Sequence, residues 1–242
     1  MNKRTLTAAV LSCALVLPVA GQAFAATTAF TDIGKNSART QIESLKERGI
    51  VHGVSATEFK PDTAVTVSQG AAMIVKSMNL SLAAFTFIKE PLASDMFSKV
   101  TNDKAWYANA MMVAKINGVD LPADVDPNEQ LTREAFLHYL IQGLESTGNY
   151  PLFKMYITIN DEDQIEPSYQ GSIQRALIYK LTELDADGNF NPKQIITRGE
   201  AAAILYNAIA FAENHQKEPA VPADQVDPNN GSTDETVSTE TQ

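Results

Sequence analysis

Two threonine–arginine pairs, Thr132-Arg133 and Thr197-Arg198, carry the residues of this 242-residue sequence most able to do chemistry. Each threonine precedes an apolar stretch with helical spacing, so it sits where an N-cap belongs and its hydroxyl can accept from a free backbone N–H. In Thr197-Arg198-Gly199-Glu200 the glutamate three residues on closes a capping box. Thr66-Val67-Ser68-Gln69 keeps that box with glutamine, whereas Thr132-Arg133-Glu134-Ala135 places the acid one residue early. Capping accounts for the threonines and the acids but not for the arginines. A cation at the first helical position opposes the helix dipole, at a cost of about 0.3–1 kcal/mol. Two readings would offset that cost. One is an ion pair with a nearby carboxylate. The other is an anion site, where free helix N–H groups and the guanidinium fork converge on a ligand bearing a carboxylate or phosphate. With Val67 in place of arginine, the first of these helix starts should have no such site.

Other suggestive patterns lead to structure rather than chemistry. Asp185-Ala186-Asp187-Gly188-Asn189 resembles the start of a calcium loop, but glycine falls at position four and Ile196 at position twelve, so a tight turn is expected. His52, His138 and His215 share no metal-ligand spacing, and neither G-x-S-x-G nor H-E-x-x-H occurs. Glu162 and Asp163 read as solvated surface. The single tryptophan, Trp106, could stack on a sugar ring; the core-anchor reading is the favoured one, because tryptophan is usually mostly buried. Nothing points to catalysis, a metal or a cofactor.

The helix starts belong to a repeating unit. Pro61 and Thr66, Pro127 and Thr132, and Pro192 and Thr197 share one spacing, with the prolines 66 and then 65 residues apart. Each threonine opens a helical stretch: Ala72, Ile74, Val75 and Met78; Phe136, Tyr139, Leu140 and Leu144; Ala201, Ile204, Leu205 and Ile209. Upstream of each proline lies another, with Ile42 and Leu45, Met111 and Met112, and Ile173 and Leu177. Gly49 and Gly118 stand where left-handed C-terminal caps are expected. Each unit is therefore helix, loop, helix. No long strand alternation occurs, although Met155 to Ile159 is ambiguous. One helix pair cannot bury both its faces, so the three units should pack on one another.

The formal charge of −10 argues against a nucleic-acid partner, since phosphate neutralisation needs lysine and arginine. Residues 1–25 read as a secretion signal: Lys3 and Arg4, an apolar run from Leu6 to Ala20, and Ala23-Phe24-Ala25 at the cleavage site. Cys13, the only cysteine, leaves with it. Residues 213–242, rich in Asp, Glu, Ser, Thr and Pro, read as a disordered acidic tail. The strongest apolar helix candidate, Ala201 to Phe211, is too short to span a bilayer, so no membrane contact is expected once the signal is removed.

These features resemble the S-layer homology repeats of bacterial surface proteins, whose unit runs F-x-D, a helix, G-I-x-x-G, an aromatic two residues before a proline, and T-R-x-E. The first copy, 26–82, matches with Phe30-Thr31-Asp32, Gly49-Ile50-Val51-His52-Gly53 and Phe59-Lys60-Pro61. The second, 95–146, matches with Phe97, Trp106, Gly118-Val119, Pro127 and Thr132-Arg133. The third, 155–212, matches with Asp161, Tyr169, Ile173, Phe190-Asn191-Pro192 and Thr197-Arg198-Gly199-Glu200. Lys99 replaces the aspartate of the second copy; Lys180-Leu181 and Leu184 replace the glycine motif of the third.

The resemblance implies a mainly α fold in which three tandem helix-loop-helix repeats pack as a pseudo-threefold trimer within one chain. It implies a non-catalytic attachment module at the bacterial cell surface. Its partner would be secondary cell wall polysaccharide, anionic and often pyruvylated, held in grooves between repeats. Ligand-binding candidates carried over are Asp32, Gly53, Trp106, Arg133, Asp161 and Arg198. The rival reading is a degenerate repeat scaffold acting as a protein–protein adaptor at the cell surface. Replacing Arg133 or Arg198 should weaken capture and leave stability almost unchanged, because Thr132 and Thr197 still cap their helices. Mature secreted protein should begin at Ala26 and carry no thiol; intact-mass measurement checks this, and a diacylglyceryl adduct on Cys13 would refute it.

Overall fold

The computed structural model describes residues 29–215; the expected secretion signal with Cys13 and Ala25, and the chain from residue 216 onward, lie outside the described residues. Six helices carry the fold: α1 (Arg39–Glu47), α2 (Val67–Ser77), α3 (Ala108–Ile116), α4 (Arg133–Glu145), α5 (Gln170–Ile178) and α6 (Arg198–His215). Short 3-10 turns at Ala93–Asp95 and Glu162–Gln164 lead into the second and third repeats. Helix α6 passes Ala212 and includes Glu213, Asn214 and His215, three residues assigned above to the acidic tail. Glu213 is held there by Arg48 at the end of the first repeat's opening helix.

Helices α2, α4 and α6 start as their sequences dictate. The Thr66 hydroxyl accepts from Gln69 N while the Gln69 side chain accepts from Thr66 N, and Thr197 and Glu200 form the same reciprocal pair. Thr132 caps alone, accepting from Ala135 N. The displaced acid Glu134 is buried; it accepts from Glu166 N at 2.9 Å and pairs with Lys193, both in the third repeat.

The three capping loops then join in a closed ring. Thr66 pairs with Gln130, Thr132 with Ile195 and Thr197 with Ala64, each as a single antiparallel bridge. At the centre, Leu131 N donates to Val65 O, Val65 N to Ile196 O, and Ile196 N to Leu131 O, at 2.9–3.0 Å. Outside this triad, the first helical N–H of each second helix reaches a neighbouring loop: Val67 to Glu129 O, Arg133 to Gln194 O, and Arg198 to Thr63 O. The next N–H does likewise, Ser68 to Pro127 O, Glu134 to Pro192 O and Gly199 to Pro61 O. The pseudo-threefold axis is therefore written in the backbone.

Below the ring, α2, α4 and α6 pack on one another about that axis. The outer helices interlock the units. Each opening helix lies against the second helix of the preceding repeat, α3 on α2 and α5 on α4, and α1 closes the circle on α6. Ile42, Leu45, Met111, Leu137, Leu140, Ile173 and Leu205 are fully enclosed, each worth about 1.5–3 kcal/mol of transfer free energy. Phe59 and Phe190, the aromatics before two of the prolines, are buried too. The ambiguous stretch around Ile157 is not a strand. Its backbone N–H and carbonyl pair with the two ends of the Gln174 amide at 3.0 and 2.8 Å. No helix among the described residues is long and apolar enough to cross a membrane.

Gly49 and Gly118 follow α1 and α3 at φ +66° and +92°, as left-handed caps. The third repeat puts Lys180 in the same role at φ +56°, where a side chain is disfavoured. Lys180→Gly should therefore stabilise the protein by about 0.5–1 kcal/mol, net of the entropy glycine adds to the unfolded chain. Thermal denaturation should show the midpoint rising by roughly 1–4 °C.

Candidate functional site

Both arginines occupy their expected positions, but the surroundings are not those expected. The helix N–H groups supposed to be free are consumed by the ring and by the threonine caps. Neither arginine meets a carboxylate in an ion pair. Arg198 Nε donates to Phe59 O and one terminal nitrogen to His52 O, both at 2.9 Å, while its guanidinium lies 4.6 Å from the Phe59 ring centroid. Arg133 repeats this in the next interface: a terminal nitrogen donates to Thr182 Oγ1 and Glu183 O, and the guanidinium lies over Phe190 at 5.1 Å. Its Nε is buried without a partner. Each arginine is thus a clasp between repeats, which is what offsets its unfavourable place on the helix dipole. Burial lowers the pKa of both from the ordinary arginine value; the Asp32 carboxylate works against this at Arg198.

Arg198 also floors a groove of about 300 Å³ to which all three repeats contribute. The first repeat supplies Ile50–Val54 on one wall and Gln69, Ala72, Met73 and Lys76 of α2 on the other; the second supplies Trp106. Three expected residues, Gly53, Trp106 and Arg198, therefore meet. Trp106 is 67% exposed and touches Tyr107 edge-on, so the favoured core-anchor reading is overturned and the ring is free to stack. Gly53 is required by space: a Cβ there would lie 2.3 Å from Ser55 O and 2.6 Å from Glu58 O. One cationic group escaped the sequence reading, Lys76, whose Nζ lies 2.6 Å from His52 Nε2. The available signal was positional. Ten residues after each threonine stands a polar side chain, Lys76, Gln142 or Asn207.

The pseudo-equivalent positions are not equivalent chemically. The second groove, about 410 Å³, has Val67 where the first has Arg198, Ser168 where it has Trp106, and Glu129, Glu134 and Glu166 on its walls. His138 occupies the position of Ala72; it is buried, bridges Ser172 Oγ at 2.9 Å and Asp120 Oδ1 at 3.1 Å, and stacks on Tyr169. Arg133 lines neither groove. In its own interface Asn207 donates to Leu181 O at 3.1 Å, across the position that Lys76 leaves open in the first.

Asp32 and Asp161 belong to the scaffold. Asp32 accepts from Phe59 N and Lys60 N at 2.9 and 2.7 Å; Asp161 accepts from Phe190 N and Asn191 N at 2.7 and 2.8 Å. Each carboxylate secures a left-handed residue, Lys60 at φ +57° and Asn191 at φ +58°. The second repeat, with Lys99 instead, has no left-handed residue there. Desolvation alone would raise the Asp32 pKa, but the Phe59 and Lys60 N–H groups outweigh it and the net is lowered. That clamp is therefore complete above the ordinary carboxylate range and weakens as pH falls through it. The Asp185 segment is the expected turn, its carboxylate accepting from Asp187 N and Asn189 N, with Gly188 at φ +78°.

Comparison with known proteins agrees with this architecture. The S-layer homology domain model matches residues 29–66 and 158–202. The chain is 32% identical over 189 residues to exoglucanase XynX of Acetivibrio thermocellus, covering 76% of this chain and 16% of that protein. It is 30% identical over 189 residues to the amylopullulanase of Thermoanaerobacterium thermosulfurigenes, covering 76% of this chain and 10% of the relative. To the surface-layer 125 kDa protein of Lysinibacillus sphaericus it is 25% identical over 223 residues, 89% of this chain and 17% of the relative. The chain thus spans less than a fifth of each of these relatives.

The clasp reverses the expectation that stability is insensitive to the arginines. Arg198→Ala leaves the Phe59 and His52 carbonyls without their donor and should cost about 2–3 kcal/mol. The thermal midpoint should fall by roughly 4–12 °C, and a shift below 2 °C would contradict the clasp.

Proposed function

We propose that this chain, a member of the S-layer homology family, attaches to the cell wall by holding an acidic wall polysaccharide in the Arg198 groove. The family places the protein at the bacterial cell surface, among relatives that include a surface-layer protein. The observation that carries the reading is the meeting of Gly53, Trp106 and Arg198, one residue from each repeat, beside a further cation, Lys76. An exposed indole above a wall of Val51, Val54, Ala72 and Met73 suits the apolar face of a sugar ring. Positive groups in a chain of net charge −10 suit an acid carried by that sugar; a pyruvate ketal would provide one. In this reading the module serves attachment rather than catalysis, in keeping with matches that cover small parts of the exoglucanase and the amylopullulanase.

The grooves differ enough that one chain should hold one ligand in this manner. Arginine and tryptophan occur together only in the first, and Val67 with Ser168 removes both from the second. The adaptor reading draws on a separate observation, the exposed Phe85, Phe87 and Ile88 between the first two repeats and Leu152, Phe153, Met155 and Tyr156 at the entry to the third.

Sedimentation with purified walls, with and without their secondary polymer, tests the proposal. Binding should require the polymer. Trp106→Ala should weaken it roughly tenfold through loss of stacking, at nearly unchanged stability because the side chain is exposed. A Trp106→Ala protein that sediments like wild type would remove the groove from consideration and favour the adaptor.

A further inference from the structure

We propose that Lys76 is the residue that meets the ligand's acid group, and that Arg198 is a positioning residue which holds the groove wall in place. The inference rests on the groove reading above and deepens it. Arg198 is 9% exposed; two of its edges are given to Phe59 O and His52 O, and one face lies on the Phe59 ring. Its direct products are a fixed wall and a fixed His52.

Lys76 is in the opposite condition. It stands exposed on α2, and no carboxylate among the described residues forms an ion pair with it. The group beside its Nζ is His52 Nε2, at 2.6 Å. An ammonium has no lone pair, so Nε2 is the acceptor, and this hydrogen bond leaves the lysine charge uncancelled. Arg198 holds the backbone carbonyl of His52, and the His52 ring accepts from the Lys76 ammonium, both residues lining the groove. The apolar wall beside it strengthens any charge pairing formed there.

The other repeats supply an internal contrast. At the position of Lys76, Gln142 spends its carbonyl on Asp120 N at 3.0 Å, and Asn207 spends its amide on Leu181 O at 3.1 Å. Both are neutral, and both are committed to the adjoining loop. Arginine at the helix start, by contrast, occurs with the cation at this position in the first groove and without it at Arg133. The clasp and the charge are separable features. The ligand class that follows is a sugar lying on Trp106 whose carboxylate or phosphate points toward Lys76.

The test uses the full secreted chain and two probes: secondary polymer released from purified walls, and the same polymer with its carboxyl groups reduced to alcohols. Wild type should prefer the native polymer about tenfold, the scale of a charge-assisted hydrogen bond. Lys76→Gln should lose that preference by falling to the affinity for reduced polymer, and Lys76→Arg should restore most of it. Because Lys76 is exposed, both variants should keep the wild-type thermal midpoint. Arg198→Gln, which retains a donor for one carbonyl, should weaken both probes together and keep the preference. Lys76→Gln with its preference intact would overturn the assignment, as would Arg198→Gln losing it selectively. Trp106→Ala separates the two claims. If it binds both probes as wild type does, the groove reading fails and this inference with it; if it loses both while Lys76→Gln keeps its preference, this inference alone fails.

Discussion

The fold depends on a ring of nine backbone hydrogen bonds in which each helix-opening loop completes its neighbours. A helix start leaves its first N–H groups unsatisfied, and burying them unpaired is costly. Here the first two N–H groups of α2, α4 and α6 are met by carbonyls of another repeat, and the capping threonine meets the next. No repeat can satisfy its own helix start. Three are needed to close the circle, which gives a geometric reason for the repeat number.

Because the ring is made of backbone, side chains around it are free to diverge. Val67, Arg133 and Arg198 all donate the same N–H to the same kind of carbonyl, whatever their side chains do. The same holds farther out. Asp161 secures its loop as Asp32 does, yet the second repeat dispenses with both the aspartate and the left-handed residue it would secure. Symmetry is thus maintained by atoms that every residue has, and function is differentiated by atoms that vary. One open groove with an arginine and a tryptophan, one with valine and serine, and one crossed by Asn207 are the result.

What the sequence disclosed follows the same division. The proline–threonine spacing located the three helix starts, and the box residues Gln69 and Glu200 distinguished the full caps from the lone Thr132 cap. Those are local interactions within four residues. Partners distant in the chain were not legible. Helical spacing shows that α3 has an apolar face, but not that this face meets α2 rather than α4. Arg198 was open to two readings, an ion pair or an anion site, and its backbone clasp was hidden because its acceptors, Phe59 O and His52 O, lie 139 and 146 residues away. Trp106 looked like core because its type usually is, and nothing local to Lys76 set it apart.

The closure of α1 on α6 also determines how the molecule would carry a load. Helix α6 begins at the ring beside the Arg198 groove and ends at His215, a run of 18 residues or roughly 27 Å. If the groove is tethered to a wall and the chain beyond His215 is pulled, tension travels along the helix axis. The contacts between α6 and α1, with the Arg48–Glu213 pair at the far end, must then slide past one another together rather than peel apart one at a time. Loading in shear distributes the force over the whole interface, an arrangement suited to a part whose task is to stay put.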